Sequence, residues 1–203
     1  MYGIKLDNMK SIFVHQVHEL GEWFGFETRN KYEIFDENKN SIGFAAEQSK
    51  GFWGFLARQF LGHWRSFEIH FFSSQRQLAF IAHHPFRWYF QRLEVKDSQG
   101  QTLGAVQKRF SLLSKRFDIE NAKGLVLMEV ASPIWKIWTF NFIQAGQTKA
   151  SVKKKWSGLF AEGFTDKDNF LIEYNSPHLT EEEKIVILAS AVYIDLLYFE
   201  KKQ

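Results

Sequence analysis

The sequence contains no cysteine. Disulfide frameworks, thiolate zinc sites, iron–sulfur clusters and cysteine nucleophiles are excluded together. Anchoring by S-acylation is excluded with them. Proline occurs only 3 times and glycine 13 times, so collagen-like and low-complexity chains are also excluded. No strong charge bias is present either, with 26 Lys and Arg against 23 Asp and Glu for a net charge of +3. That balance is too mild to specify nucleic acid, and none is expected as a partner. The first ten residues carry Lys5, Asp7 and Lys10 and no apolar run. No secretory signal is visible there, and the expected compartment is the cytoplasm.

What is abundant is aromatic: 22 Phe, 7 Trp and 6 Tyr, or 17% of the 203 residues. Hydrophobic residues at 45% and charged residues at 24% give an ordinary globular balance. A chain this long buries roughly 70% of its unfolded surface without help from a metal or disulfide. One domain over residues 1–203 is expected.

The chain reads as a series of hairpins. Tyr32–Phe35 alternates, Asp36–Asn40 is a polar turn, and Ser41–Glu47 returns apolar. The unit recurs at Phe67–Ile69 with Leu78–Ile81, at Leu93–Val95 with Leu103–Val106, and at Phe117–Ile119 with Leu125–Val130. A fifth pairs Trp138–Ile143 with Lys149–Lys153. Period-two alternation bounded by Asn, Asp, Gly and Ser is the signal of half-buried hairpins. Ser11–Val17 and Glu22–Thr28 add two strands, for twelve in all. Regular antiparallel strands of this kind close into a barrel, which leaves no open edge.

The period changes near the end. Thr180-Glu181-Glu182-Glu183 is a capping box, and Ile185 to Phe199 is apolar on nearly every side, interrupted by Ser190 and Asp195. Lys201 and Lys202 suit a helix C-terminus. The apolar stretch spans about 22 Å, short of the ~20 residues that cross a bilayer. A helix over about 180–202 is therefore expected inside the barrel, with Ile185, Leu188, Val192, Asp195 and Phe199 buried. Asp195 would there bond backbone or an inward Arg.

Gly25-Phe26-Glu27-Thr28-Arg29-Asn30-Lys31-Tyr32-Glu33-Ile34 resembles the phospholipid scramblase family, and Phe44-Ala45-Ala46-Glu47 fits that family's next strand. Trp156-Ser157-Gly158, Phe164-Thr165-Asp166-Lys167-Asp168-Asn169-Phe170 and the tail Ala191 to Glu200 are similar to three further segments, in the same order and spacing. The resemblance implies a Tubby-like fold, a twelve-stranded barrel around a C-terminal helix, shared with LURP-one-related proteins. It implies a phospholipid membrane surface as partner, peripheral attachment, and phospholipid binding with ATP-independent scrambling as the further activity. The alternative is a soluble Tubby-like module for a protein or a phosphoinositide headgroup, using Lys153-Lys154-Lys155.

The resemblance also implies a calcium segment, which maps onto Asp166 to Pro177. Asp166 and Asp168 are the carboxylates at its first and third positions. Leu171 stands where an EF-hand turn needs Gly, and Pro177 where it needs Glu. That is poor calcium chemistry, and no cofactor is required.

In an up-and-down barrel the hairpin turns share one end and the longer links share the other. The five turns hold no aromatic residue. The links hold Phe52, Trp53, Phe55, Phe60 and Trp64, then Phe86, Trp88, Tyr89 and Phe90, then Phe110, then Trp135. Cations are interleaved at Lys50, Arg58, Arg65, Arg87, Arg92, Lys108, Arg109, Lys115, Arg116 and Lys136. Rings beside cations suit a membrane interface, where rings sit at headgroup depth and cations meet anionic lipid. The same rings could equally fold back to seal the barrel end.

No catalytic signature is present: no G-x-S-x-G, P-loop, H-E-x-x-H or G-x-G-x-x-G. His83 and His84 would point to opposite sides of a strand and cannot share a metal. A non-enzymatic protein is expected.

Overall fold

The computed structural model describes residues 3–17, 30–48, 66–112, 114–133, 138–155 and 169–199. Twelve strands run in chain order: β1 Ser11–Val17, β2 Lys31–Phe35, β3 Ser41–Glu47, β4 Phe67–Ser73, β5 Leu78–His84, β6 Arg92–Asp97, β7 Thr102–Arg109, β8 Ser114–Asn121, β9 Val126–Pro133, β10 Thr139–Gln144, β11 Gln147–Lys155 and β12 Asn169–Tyr174. Each pairs antiparallel with its neighbours, and β1 pairs with both β2 and β12 to close the barrel.

The expected architecture is present, with one strand differently placed. Closure is made by Asn169–Tyr174, a stretch read above as part of a calcium-like loop. Phe170, Ile172 and Tyr174 face inside and Asn169 and Glu173 are half-buried, with Leu171 between them also buried on the outer register. The expected strand Glu22–Thr28 lies outside the described residues.

The five hairpins share one local design. Each carries a register shift beside its turn and a residue with positive φ within it, such as Lys39, Arg76 or Gly100. A turn followed by such a residue and a bulge is a common hairpin closure, and the bulge adds the twist that a closed sheet needs. Three turns are held by their first side chain. Asp36 Oδ1 accepts from the Asn38 and Asn40 amides, Asp97 Oδ1 from Gln99 and Gln101, and Asn121 Oδ1 from Lys123 and Leu125, all between 2.8 and 3.0 Å. This is the short-range bonding that makes Asp and Asn turn residues.

The single described helix, α1 (Glu181–Tyr198), fills the barrel, and Lys184 through Leu197 are all buried. Thr180 Oγ1 accepts from the Glu183 amide at 3.2 Å, and the Thr180 amide donates to Glu183 Oε2 at 2.8 Å, completing the capping box. Ile185, Leu188, Val192 and Asp195 are buried, while Phe199, just past the last turn, is half-buried against the core. The helix ends four residues before the expected limit, and Lys201 and Lys202 lie outside the described residues. No helix among the described residues is long and apolar enough to cross a membrane.

Candidate functional site

The two ends of the barrel differ in chemistry. At the hairpin-turn end, Ile4 and Leu6 are buried, and Lys184 Nζ donates to the Leu6 and Asp7 carbonyls. Tyr174 Oη donates to the Lys184 carbonyl at 3.2 Å. The N-terminal segment is thereby stitched over the start of α1. A cleft of 330 Å³ beside it is lined by Leu103, Ile119, Leu127 and Val186. Of its polar members, Thr180 and Glu183 are used in the capping box, Glu120 pairs with Arg92, and Asn121 holds its turn.

At the other end, here the mouth, the inward-facing layer is polar. Gln16 Nε2 donates to Asn30 Oδ1 at 3.2 Å, and Asn30 Nδ2 donates to Glu47 Oε2 at 2.6 Å. Tyr32 Oη donates to Asp195 Oδ2 at 2.8 Å, and Lys154 Nζ to Asp195 Oδ1 at 3.4 Å. Asp195 thus accepts hydrogen bonds from a tyrosine and a lysine on two walls of the barrel. His84 stacks on Phe67 at 4.7 Å, with Tyr193 5.6 Å from its ring. Tyr193 Oη is buried with no hydrogen-bond partner among the described residues.

Two lysines of this layer stand apart. Lys108 is in phase with the buried Val106 on β7, and Lys115 with the buried Phe117 and Ile119 on β8. Both ammonium groups sit on the ring of Tyr198, Lys115 at 3.9 Å and Lys108 at 5.8 Å from its centroid. Lys115 also lies 5.2 Å from Phe199, and Lys154 lies 4.2 Å from the same ring. The last turn of α1 contains no basic residue. The cations that favour a helix C-terminus are supplied by the strands instead. Burial lowers the pKa of Lys108. It does the same at Lys115, where the charge of Lys108 lowers it further. Burial raises Tyr198 to about 12.

On the described links of the mouth, large apolar side chains are exposed. Phe86, Trp88, Tyr89, Phe90, Phe110 and Leu112 are all exposed, Tyr89 at 82% and Phe110 at 74%. They occupy the β5–β6 and β7–β8 links, which flank the β6–β7 pair. Phe86 and Trp88 meet edge to face at 5.5 Å. Gln107 holds the first link in place: its Nε2 donates to the Phe90 carbonyl at 2.9 Å and to the Gln91 carbonyl at 3.3 Å. Arg92 Nη1 in turn donates to Gln107 Oε1 at 3.2 Å and to Glu120 at 2.6 Å.

The expected contact residues divide by location. Arg87, Trp88 and Tyr89 are exposed together on one link. Phe52, Trp53, Phe55, Arg58, Phe60, Trp64, Arg65, Trp135 and Lys136 lie outside the described residues, as do Asp166 and Asp168. The cations grouped with the links do not form one set. Arg92, Arg109 and Arg116 point outward and pair with Glu120, Asp118 and Glu129. Among the described residues, Arg87, Lys108 and Lys115 have no ion pair. Lys108 and Lys115 belong to strands that run further than the sequence reading placed them.

The run Lys153-Lys154 is not a patch. Strand alternation splits it: Lys153 pairs outward with Glu173, and Lys154 is buried on Asp195. His83 and His84 separate in the same way, His83 outside at 3.2 Å from Glu68 and His84 inside.

The outer wall carries these ion pairs from β4 to β9 and again on β11 and β12. A membrane-spanning barrel has the reverse polarity, with an apolar band outside and a polar lumen.

Comparison with known proteins adds three findings. Residues 4–201 match the family described as Scramblase. The chain is 26% identical to human phospholipid scramblase 1, over 96% of this chain and 64% of that protein. It is 28% identical to human phospholipid scramblase family member 5, over 96% of this chain and 76% of that protein. The chain spans under two thirds of the length of human, rat and mouse phospholipid scramblase 1. A solved structure of a protein from Arabidopsis thaliana shares the fold, with a TM-score of 0.51 at 12% identity, covering 91% of this chain and 90% of that one.

Proposed function

The chain belongs to the Scramblase family, and on that premise we propose that it binds phospholipid membranes peripherally, mouth first. The observation that carries this reading is the cluster of six large apolar side chains exposed on two links at one barrel end. An apolar patch beside a cation is the composition that partitions into a headgroup region. Burying one such side chain contributes about 1.5–3 kcal/mol, so a few rings give reversible attachment without an acyl anchor. The proposed contact set is Arg87, Trp88 and Tyr89. From outside the described residues it adds Phe52, Trp53, Phe55, Arg58, Phe60, Trp64, Arg65, Trp135 and Lys136. The ion-paired outer wall supports attachment at the surface over insertion of the barrel.

The family is named for moving lipid rather than for converting it, and the second half of the proposal is ATP-independent scrambling. Flotation with phosphatidylcholine vesicles, with and without phosphatidylserine, tests the first half. Co-flotation with a blue shift of Trp emission is expected. Absence of both on either vesicle overturns it. Reconstitution with a fluorescent lipid and a membrane-impermeant quencher tests the second. Quenching that passes half the signal is expected, and quenching that stops at half limits the function to binding.

A further inference from the structure

Lys108 and Lys115 are an unusual pair. They come from adjacent strands, point into the mouth, and converge on one tyrosine ring. Every other described cation on those two strands has a carboxylate: Arg109 has Asp118, and Arg116 has Glu129. The two lysines have none among the described residues, although both are half-buried. Two half-buried ammonium groups brought onto one ring without a counterion repel each other. A buried donor, Tyr193 Oη, is also unused among the described residues, and its ring packs on Phe117, two residues from Lys115. The link between the strands presents exposed Phe110 and Leu112 on either side of Ser111.

We propose that Lys108 and Lys115 form an anion seat at the barrel mouth that takes the phosphate of a phosphate ester. One oxygen-rich anion between the two ammonium groups would supply the missing counter-charge to both. A phosphate offers several acceptor oxygens, while an ammonium offers three donors and no acceptor. The apolar rim then suits the remainder of a lipid, with Phe110 and Leu112 against its glycerol and upper acyl carbons. The seat rests on the membrane reading above for the end of the barrel that meets ligand. Its chemistry is shared by a phospholipid headgroup and by a free phosphate ester.

The experiment uses the full chain, the double variant Lys108→Met/Lys115→Met and a charge-matched control, Lys96→Met/Lys123→Met, placed away from the mouth. Thermal unfolding is followed with glycerol 3-phosphate and with soluble dihexanoyl phosphatidic acid. Flotation is measured on phosphatidic acid and on phosphatidylcholine vesicles. The proteins bearing both lysines are expected to gain thermal stability from the soluble esters. They are expected to bind phosphatidic acid vesicles about tenfold or more tightly than phosphatidylcholine. The Met variant loses both effects, and the control keeps them.

A response to soluble ester that depends on the lysines, without vesicle binding, supports the seat with a free ester as its ligand and overturns the membrane reading. Vesicle binding by the Met variant within about twofold of the parent, with the same preference for phosphatidic acid, overturns the seat and leaves the membrane reading standing. No response to either probe overturns both. If the lysines serve only the helix C-terminus, the Met variant unfolds earlier and its ester response is unchanged, which also overturns the seat. Should that variant fail to fold, Lys108→Arg/Lys115→Arg keeps the charge and is expected to keep the ester response, while Lys115→Gln alone is expected to weaken it.

Discussion

Tyr32 on β2 donates a 2.8 Å hydrogen bond to Asp195 on α1, across 163 positions of sequence. Lys154 reaches the same carboxylate from β11. Tyr32, Lys154 and Asp195 are all buried, so this cluster fixes the rotation of the helix within the barrel from two walls at once. Breaking a buried charge pair costs more than the pair is worth, because the surviving charge is left in a poor solvent. Asp195→Ala is expected to lower stability by about 3–5 kcal/mol, and Tyr32→Phe by about 1–2 kcal/mol. Urea unfolding followed by far-UV circular dichroism checks both. A loss under about 1 kcal/mol for Asp195→Ala would mean that water reaches the cluster.

Gly104 sets how closely the helix approaches the wall. A Cβ there would lie 2.9 Å from Val186 Cγ2 on α1 and 2.5 Å from the Glu120 carbonyl. The carbonyl belongs to the neighbouring strand and cannot move without breaking the ladder. Gly104→Ala is therefore expected to cost about 1–3 kcal/mol by overpacking. In an exposed strand the same change would help, because alanine loses less entropy than glycine on folding. Thermal unfolding of the variant decides the sign.

The strands and the helix were legible because their signals are local. Period two, the Asp36, Asp97 and Asn121 turns, and the capping box all act within a few residues. The twelfth strand was not legible for a physical reason: Asn169–Tyr174 has only six residues, and it lies inside the segment that the family resemblance maps onto a calcium loop. The inward phase of Lys108, Lys115 and Lys154 was legible in principle, since each continues the buried register of Val106, Phe117 and Val152. Lys108 and Lys115 lie beyond the apolar alternation of their runs, which places these wall positions among the links when apolar residues alone are followed. Tyr32 and Lys154 were not legible as partners of Asp195. They lie 41 and 163 positions away and come together only through closure of the barrel.

Lys108 and Lys115 give stability a pH dependence of definite sign. Burial lowers both from the ordinary lysine value of 10.5, and the charge of Lys108 adds to the lowering at Lys115. Below that value the unfolded chain therefore binds more protons than the folded one, and folding becomes more favourable as pH rises toward 10.5. The groups facing the pair are the Tyr198 ring for both, and the Phe140 and Phe199 rings for Lys115. Lys154 lies 4.2 Å from the same Phe199 ring, and Arg109, Arg116 and Asp118 face outward. Tyr198, held at about 12 by burial, acts in the opposite direction as tyrosines of the unfolded chain begin to ionise near pH 10. Denaturation from about pH 8 to about pH 10 avoids most of that range. The parent is expected to gain stability over this interval relative to Lys108→Met/Lys115→Met. Parallel curves would show both ammonium groups fully solvated in the folded state.

The described rim aromatics lie outside the buried cluster, and this lets a surface-seeking role be separated from a structural one. Trp88 and Tyr89 are more than half exposed, and neither belongs to the buried cluster around α1. Truncating such side chains changes stability by about 0.5 kcal/mol or less. If they meet a bilayer, the same truncation removes apolar area that would have left water, at about 25 cal/mol per Å². Trp88→Ala/Tyr89→Ala is thus expected to unfold like the parent while its vesicle partition falls about tenfold or more. Phe67→Ala is the opposite case. It opens a cavity under His84 and Tyr193 and is expected to cost about 3–5 kcal/mol. Its partition per folded molecule should be unchanged. Equal loss of partition and of stability in the rim variant would show that the rim packs as core, and it would remove the argument for a membrane-facing mouth.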